Sequence, residues 1–149
     1  MPTEDARSPT PLASRILVTV VALATLAGPY LADWNETHIY NPRWPPHAKF
    51  HNAQTMLLGT ALGACAIAFA WRRAADARAS LRVAVVFGAL YWLTQMGSIL
   101  FPGAAFVDPE RAGQGMIAGL PAQIVISVVL LGLLGAALAL ARGGPVRQS

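Results

Sequence analysis

Four long apolar stretches constrain this sequence more than any other feature. They cover residues 15–32, 53–71, 82–101 and 116–141. About 20 mostly apolar residues are needed to cross the hydrocarbon core of a bilayer, and each stretch is close to that length. Because lipid offers no hydrogen-bond partners to an open backbone, each stretch is predicted to be a transmembrane helix. The sequence therefore predicts an all-α fold, an integral membrane four-helix bundle.

The first stretch has a second interpretation. Residues 16–27, preceded by Arg7 and Arg15, also fit the apolar part of a secretory signal peptide. Pro29 interrupts the small-residue cleavage site that residues 27–28 would offer, and the apolar run continues beyond it. We therefore prefer a membrane span, with a cleaved signal peptide as the alternative.

Composition agrees with a membrane protein. The chain is 55% hydrophobic and 12% charged, whereas soluble domains carry about 25% charged residues. Its net charge of +4 does not predict a nucleic-acid partner, because the basic residues do not cluster among aromatic ones. The single cysteine, Cys65, lies in an apolar run and is expected to be a buried, inert thiol. The expected partner is the lipid bilayer itself.

The basic residues predict how the bundle is oriented. One side of the membrane would carry eight of them and the other side three: Arg7, Arg15, Arg72, Arg73, Arg78, Arg82, Arg142 and Arg147 against Arg43, Lys49 and Arg111. The positive-inside rule places the richer side in the cytoplasm. Both termini are then cytoplasmic, with residues 1–14 as a disordered tail, residues 143–149 as a short tail and residues 33–52 as an outer loop. The Ala- and Arg-rich composition further suggests a bacterial plasma membrane, the inner membrane.

The predicted outer loop, residues 33–52, concentrates polar chemistry in a chain that is otherwise apolar. It holds all three histidines and two of the four tryptophans. Pro46 suits the first position of a helix, so the second helix is expected to begin there. His47 and His51 are then one turn apart, and Gln54 continues the same face toward the membrane.

These loop residues are candidates for a metal or acid–base site. Two histidines four residues apart, with a nearby carboxylate, suit a divalent metal such as zinc or iron. The same groups also suit general acid–base catalysis. The candidate catalytic residues are His47, His51, Asp33 and Glu36, and the candidate ligand-binding residues of the loop are Asn35, His38 and Trp44. The alternatives are histidines that are merely polar at the interface and aromatic residues that form an interfacial belt.

Polar side chains inside the predicted spans concentrate in their outer halves. Gln54, Tyr91, Gln95 and Gln123 lie there, whereas the inner halves are almost entirely apolar. Polar groups at this depth are expected to face the bundle interior. They predict either the floor of a ligand pocket that opens outward or hydrogen bonds that join the helices.

Small residues predict close helix packing. Gly59 and Gly63 form a Gly-x-x-x-Gly pair in the second stretch, and Gly115 and Gly119 form one at the start of the fourth. Gly132 and Ala136 give a further small pair. Such spacing lets helix backbones approach, either inside the bundle or in a homo-oligomer.

The loop also resembles that of a known family. The segments Asp33-Trp34-Asn35, Thr37-His38, Asn41-Pro42 and Trp44-Pro45-Pro46-His47-Ala48-Lys49-Phe50-His51-Asn52 resemble the signature of a family of small four-span membrane proteins, a domain of unknown function. The architecture is more distantly similar to emopamil-binding and sigma-2-receptor-like proteins, which implies handling of sterol-like molecules by intramembrane acids. The four stretches of this chain contain no Asp or Glu.

Two hypotheses about function follow. The first is a site at the outer membrane face that binds or transforms a small lipophilic molecule, and whether it is an enzyme stays undecided. The second is an accessory or assembly subunit, without catalysis, that docks a membrane partner through its outer loop.

Overall fold

A computed structural model describes residues 10–107 and 112–142, and four long helices dominate it. They are α1 (Leu12–Asp33), α2 (Pro46–Trp71), α3 (Ala77–Gly97) and α4 (Ala122–Arg142). A short 3-10 turn, Ser98–Leu100, extends α3, and a small antiparallel hairpin of β1 (Met116–Ile117) and β2 (Leu120–Pro121) precedes α4. All four helices are long and apolar enough to cross a membrane. The predicted all-α four-helix fold is confirmed.

The residues at which the helices begin depend on local capping and turn residues, and hydropathy alone does not predict them. The predicted start of α2 at Pro46 is confirmed. Helix α1 begins at Leu12, three residues inside the stretch that we expected to be a tail. Helix α3 begins at Ala77 rather than at residue 82, because the Asp76 side chain accepts a hydrogen bond from the Ala79 amide (2.8 Å) and caps its first turn. The remaining tail predictions, on residues 1–9 and 143–149, lie outside the described residues.

The predicted start of the fourth helix at Met116 is wrong. Residues 116–121 form the hairpin, and α4 begins only at Ala122. The two residues at the hairpin turn, Ala118 and Gly119, have φ angles of 51° and 81°, and tight hairpin turns favour such positive values. Gly115 also has a positive φ, 64°. Gly115 and Gly119 are therefore turn residues and not a helix-packing pair.

Each helix packs against two neighbours in a closed ring, in the order α1, α2, α3, α4, and α1 also contacts α3 across the centre. The shared core is built from Val18 and Val21 of α1, Leu81 and Ala84 of α3, and Leu134 of α4. Large apolar side chains elsewhere point outward, and leucines such as Leu31, Leu57 and Leu58 are more than half exposed. An apolar exterior is the arrangement that a lipid environment favours. Cys65 is partly buried on α2.

The Gly59–Gly63 pair lies against α1, where the two backbones nearly touch. A Cβ atom at Gly59 would lie 2.7 Å from the Thr25 carbonyl oxygen, and one at Gly63 would lie 2.6 Å from the Ala22 carbonyl oxygen. Pro29 has no N–H for the Thr25 carbonyl four residues before it, so this oxygen lacks its usual helical donor. Gly59 lies directly beside this oxygen, with no room for a side chain. The Gly-x-x-x-Gly pair of α2 therefore serves the bundle interior.

The two ends of the bundle differ in chemistry. The end where α1 finishes and α2 begins carries Asp33 and the three histidines, and we call it the histidine end. The opposite end, where α2 finishes and α3 begins, carries Arg15, Arg72, Arg73, Arg78, Arg82 and Arg142, and we call it the arginine end.

Candidate functional site

His47 and His51 form a contacting pair on the exposed face of α2. Their Nε2 atoms are 3.0 Å apart, and the two rings meet edge to face with centroids 4.5 Å apart. The spacing of four residues produces this contact, because it stacks side chains one turn apart on a helix. Both side chains are exposed.

Gln54 contacts the ring of His51. Its Oε1 lies 3.2 Å from the Nδ1 of His51, and because an amide oxygen accepts hydrogen bonds, this contact favours the tautomer with the proton on Nδ1. The Nε2 of a neutral His51 then presents a lone pair toward His47. Metal-binding histidines are commonly oriented in this way, with the ligating nitrogen on one side of the ring and a hydrogen-bond acceptor on the other.

An apolar surface adjoins the histidine pair. The Phe50 ring is 62% exposed and stacks on His47 with an interplanar angle of 5°. About two turns further along α2 from Phe50, Leu57 and Leu58 are also exposed. Polar imidazole groups therefore lie above an open apolar strip on one helix face.

Asp33 and His38 belong to a second cluster, which joins the end of α1 to α2. The Asp33 Oδ2 atom accepts a hydrogen bond from Asn52 Nδ2 (2.7 Å), and Asp33 Oδ1 lies 3.6 Å from His38 Nε2. The other ring nitrogen of His38 contacts the Thr37 hydroxyl (2.5 Å), which also contacts Asn35 Oδ1 (2.6 Å). This cluster closes the loop over the end of the α1–α2 pair.

Aromatic and amide side chains complete the loop fold. Trp44 packs edge to face on His38, with ring centroids 5.1 Å apart. Asn41, at 8% exposure, bonds the Thr37 carbonyl and the Arg43 amide. Trp34 contacts both Tyr30 and Tyr40, and Glu36 is exposed.

A third polar cluster joins α3 to α4. Gln95 Nε2 lies 3.5 Å from the Gln123 carbonyl and 3.4 Å from the Ser127 hydroxyl. The Gln123 side chain donates to the Phe106 carbonyl (2.9 Å), which ties the α3–α4 connection to α4. Tyr91 belongs instead to the α1–α2 side, where its ring packs beside Gly59.

The predicted site residues therefore occupy three places. His47, His51 and Gln54 lie together on the exposed face, as the helical spacing predicted. The loop acids do not join them: among residues 10–107 and 112–142, no three His, Cys, Asp or Glu side chains are close enough to share a metal ion. A metal on this face would have two protein ligands and open positions for other molecules.

Asn52 is the residue of the site that sequence reasoning missed. It lies on the face of α2 that continues through Met56, Gly59 and Gly63, which packs against α1. Its amide nitrogen binds Asp33, while its oxygen is buried with no hydrogen-bond partner in the described part of the chain. The spacing of Asn52 from the two glycines was the available signal.

The fold and these clusters define a class: a four-helix membrane protein with a polar loop packed on one end. Within that class, this chain belongs to the family of unknown function DUF6640, whose family model matches residues 17–148. Comparison with curated proteins found no match. Comparison with solved structures also found none.

Proposed function

We propose that the histidine end faces the outer side of a membrane and holds a divalent metal ion on His47 and His51. The ion would present its open coordination positions to the polar end of a small lipophilic molecule that lies along Phe50 and Leu57. The observation that carries this proposal is the convergence of two imidazole Nε2 atoms, 3.0 Å apart, on an exposed helix face.

The distances suit a metal. With Zn–N bonds of about 2.1 Å, two nitrogens 3.0 Å apart subtend an angle of about 90° at the ion. A small rotation of either side chain opens this angle to the tetrahedral value. If His47 carries its proton on Nε2 and donates to His51, metal binding requires that His47 exchange its tautomer and that both rings turn toward the shared ion.

The reactions that such an ion could support depend on its open coordination positions and on the apolar side chains beside it. Two protein ligands leave at least two positions for water or for an oxygen atom of the bound molecule. If the chain is an enzyme, this site favours metal-assisted hydrolysis or oxidation of the polar end of a lipid or terpenoid. Phe50 and the exposed leucines of α2 would hold the apolar end beside the acyl chains.

The test is metal binding by the purified full-length chain. Isothermal titration with Zn²⁺ and elemental analysis are expected to give one ion per chain, lost in the His47→Ala and His51→Ala variants. His38→Gln is the matched control, because His38 lies in the loop cluster and its replacement is expected to leave the ion in place. Equal loss of bound Zn²⁺ in the His38→Gln control, or no Zn²⁺ binding by the unmodified chain, would contradict the proposal.

A second candidate function is docking of a membrane partner through the loop. It is supported by Trp34 and Tyr40, which are 55% and 49% exposed although they contact each other. Replacement of both by Ser would then release a stoichiometric partner from the purified complex while metal binding persists. The Trp44→Phe variant is the control, because Trp44 packs inward on His38.

A further inference from the structure

A cleft of about 140 Å³ opens at the arginine end, between the first turns of α3 and the last turn of α4. Its lining combines three cations with three apolar side chains: Arg78, Leu81, Arg82, Leu138, Ala141 and Arg142. The volume is several times the roughly 30 Å³ that one water molecule occupies in the liquid. The cleft therefore has room for a polar group larger than water.

The cations come from two helices and surround one space. Arg78 and Arg82 are four residues apart, so they share a face of α3. Arg142 approaches from the last turn of α4. Leu81 and Ala141, which are 1% and 6% exposed, form the apolar part of the wall. The cleft thus combines positively charged side chains with an apolar wall.

The helix dipole favours Arg142, which lies in the last turn of α4, but it does not favour Arg78. The first turn of α3 contains Arg78 and no acidic residue, although the partial positive charge at a helix N-terminus disfavours cations there. The cation and the helix end together favour an anion in the cleft.

Other arginines at this end are engaged by aromatic rings and hydroxyl groups. Arg15 lies over the Trp71 ring and donates to Thr10, and Arg72 lies over the Phe69 ring and donates to Ser80. The cleft arginines surround an open volume. Arg78 has another interaction within the chain, but a guanidinium carries five N–H donors and can serve two partners.

We propose that this cleft binds the headgroup phosphate of an anionic phospholipid from the leaflet at the arginine end. The planar guanidinium fork matches phosphate oxygens. Basic clefts between transmembrane helices at headgroup level favour anionic lipids. Leu138 and Ala141 then adjoin the upper part of the acyl chains. This inference does not depend on the histidine pair or on metal binding.

The test compares lipids on the full-length chain in detergent by native mass spectrometry. Short-chain phosphatidylglycerol is expected to bind more tightly than short-chain phosphatidylcholine. The double variant Arg82→Gln, Arg142→Gln is expected to bind phosphatidylglycerol about tenfold more weakly, because it loses two charge-assisted contacts. Arg73→Gln is the matched control, since it removes a charge from the same end outside the cleft, and should change affinity by less than about twofold.

Two further arms distinguish the source of the phosphate and the role of shape. Inorganic phosphate that displaced the lipid at equal concentration would overturn the assignment to a lipid. The variant Arg82→Lys, Arg142→Lys keeps the charge but loses the fork, so it is expected to fall between the unmodified chain and the Gln variant. Equal weakening by Arg73→Gln, or no preference for phosphatidylglycerol in the unmodified chain, would also overturn the proposal.

Discussion

His51 and Asn52 are neighbours in sequence, yet their side chains belong to different parts of the molecule. The helix turns about 100° per residue, so His51 faces outward toward His47, whereas Asn52 faces α1 and binds Asp33. The polar side chains of this segment therefore fall into two sets with different roles. One set of side chains closes the fold, and the other remains open to molecules outside it.

Gln54 tests whether the orientation of His51 matters for metal binding. Gln54→Leu removes the acceptor of the His51 Nδ1 proton, and loss of such a partner commonly weakens metal affinity by about 10–100-fold. We expect a Zn²⁺ dissociation constant raised by at least about tenfold in isothermal titration. Gln95→Leu is the control, because Gln95 bonds between α3 and α4. Unchanged affinity in Gln54→Leu would remove Gln54 from the site.

Thr25 tests a buried hydrogen bond in the bundle. The Trp92 indole donates to the Thr25 hydroxyl (2.9 Å), and both residues are buried. Thr25→Val keeps the shape but leaves the indole N–H without a partner, so we expect unfolding in mixed micelles to be easier by about 1–2 kcal/mol. Thr19→Val is the matched control, because the Trp71 indole that donates to Thr19 is 44% exposed and can find another acceptor. An equal effect of the two changes would contradict the importance of burial.

Among single side chains, positions were predictable from the sequence where a single helix decides the geometry. The grouping of His47, His51 and Gln54 follows from their spacing alone. The positions of Asp33 and His38 do not, because they depend on the path by which the chain turns from α1 into α2. Asn35 and Asn41 direct that path through hydrogen bonds with backbone groups, and no periodic pattern encodes it.

Among the elements, the contact of α1 with α2 depends most on small residues. Gly63→Ala would place a Cβ 2.6 Å from the Ala22 carbonyl oxygen, and the helices would have to separate. We expect a loss of about 1–3 kcal/mol in unfolding free energy, measured in mixed micelles.

Gly132→Ala on α4 is the control for that change. A Cβ at Gly132 meets nothing within 4 Å, and alanine favours the helix by about 0.5–1 kcal/mol over glycine. We therefore expect no loss and a slight gain in stability. A destabilised Gly132→Ala variant would instead indicate that this face of α4 packs against a partner, as a homo-oligomer requires.

Hydropathy predicts the four helices but does not predict the hairpin before α4. Four apolar stretches predict four helices, since lipid admits few other structures. The hairpin before α4 escaped prediction because Met116, Ile117 and Leu120 are as apolar as the helix that follows. Positive φ angles at Ala118 and Gly119 distinguish the two conformations, and a Gly-x-x-x-Gly spacing is compatible with both.

At the scale of the whole molecule, the distribution of arginines predicts the orientation in the membrane. With Cys65 replaced by Ala, a single cysteine at Glu36 is expected to react with an impermeant maleimide in intact cells. Glu36 is exposed at the histidine end, and Ala75 is exposed at the arginine end. A cysteine at Ala75 should react only after the membrane is permeabilised. The reverse pattern would place the arginine end outside and contradict the positive-inside prediction.

The backbone contact between α1 and α2 also bears on how the chain is made. Its parts, from Ala22 to Gly63 together with the Asp33–Asn52 link, all lie in the first half of the sequence. During synthesis, the N-terminal part of a chain is available to fold before the rest exists. We therefore expect the α1–α2 pair to form before α4 emerges from the ribosome, so that the later helices pack against a pair that is already assembled.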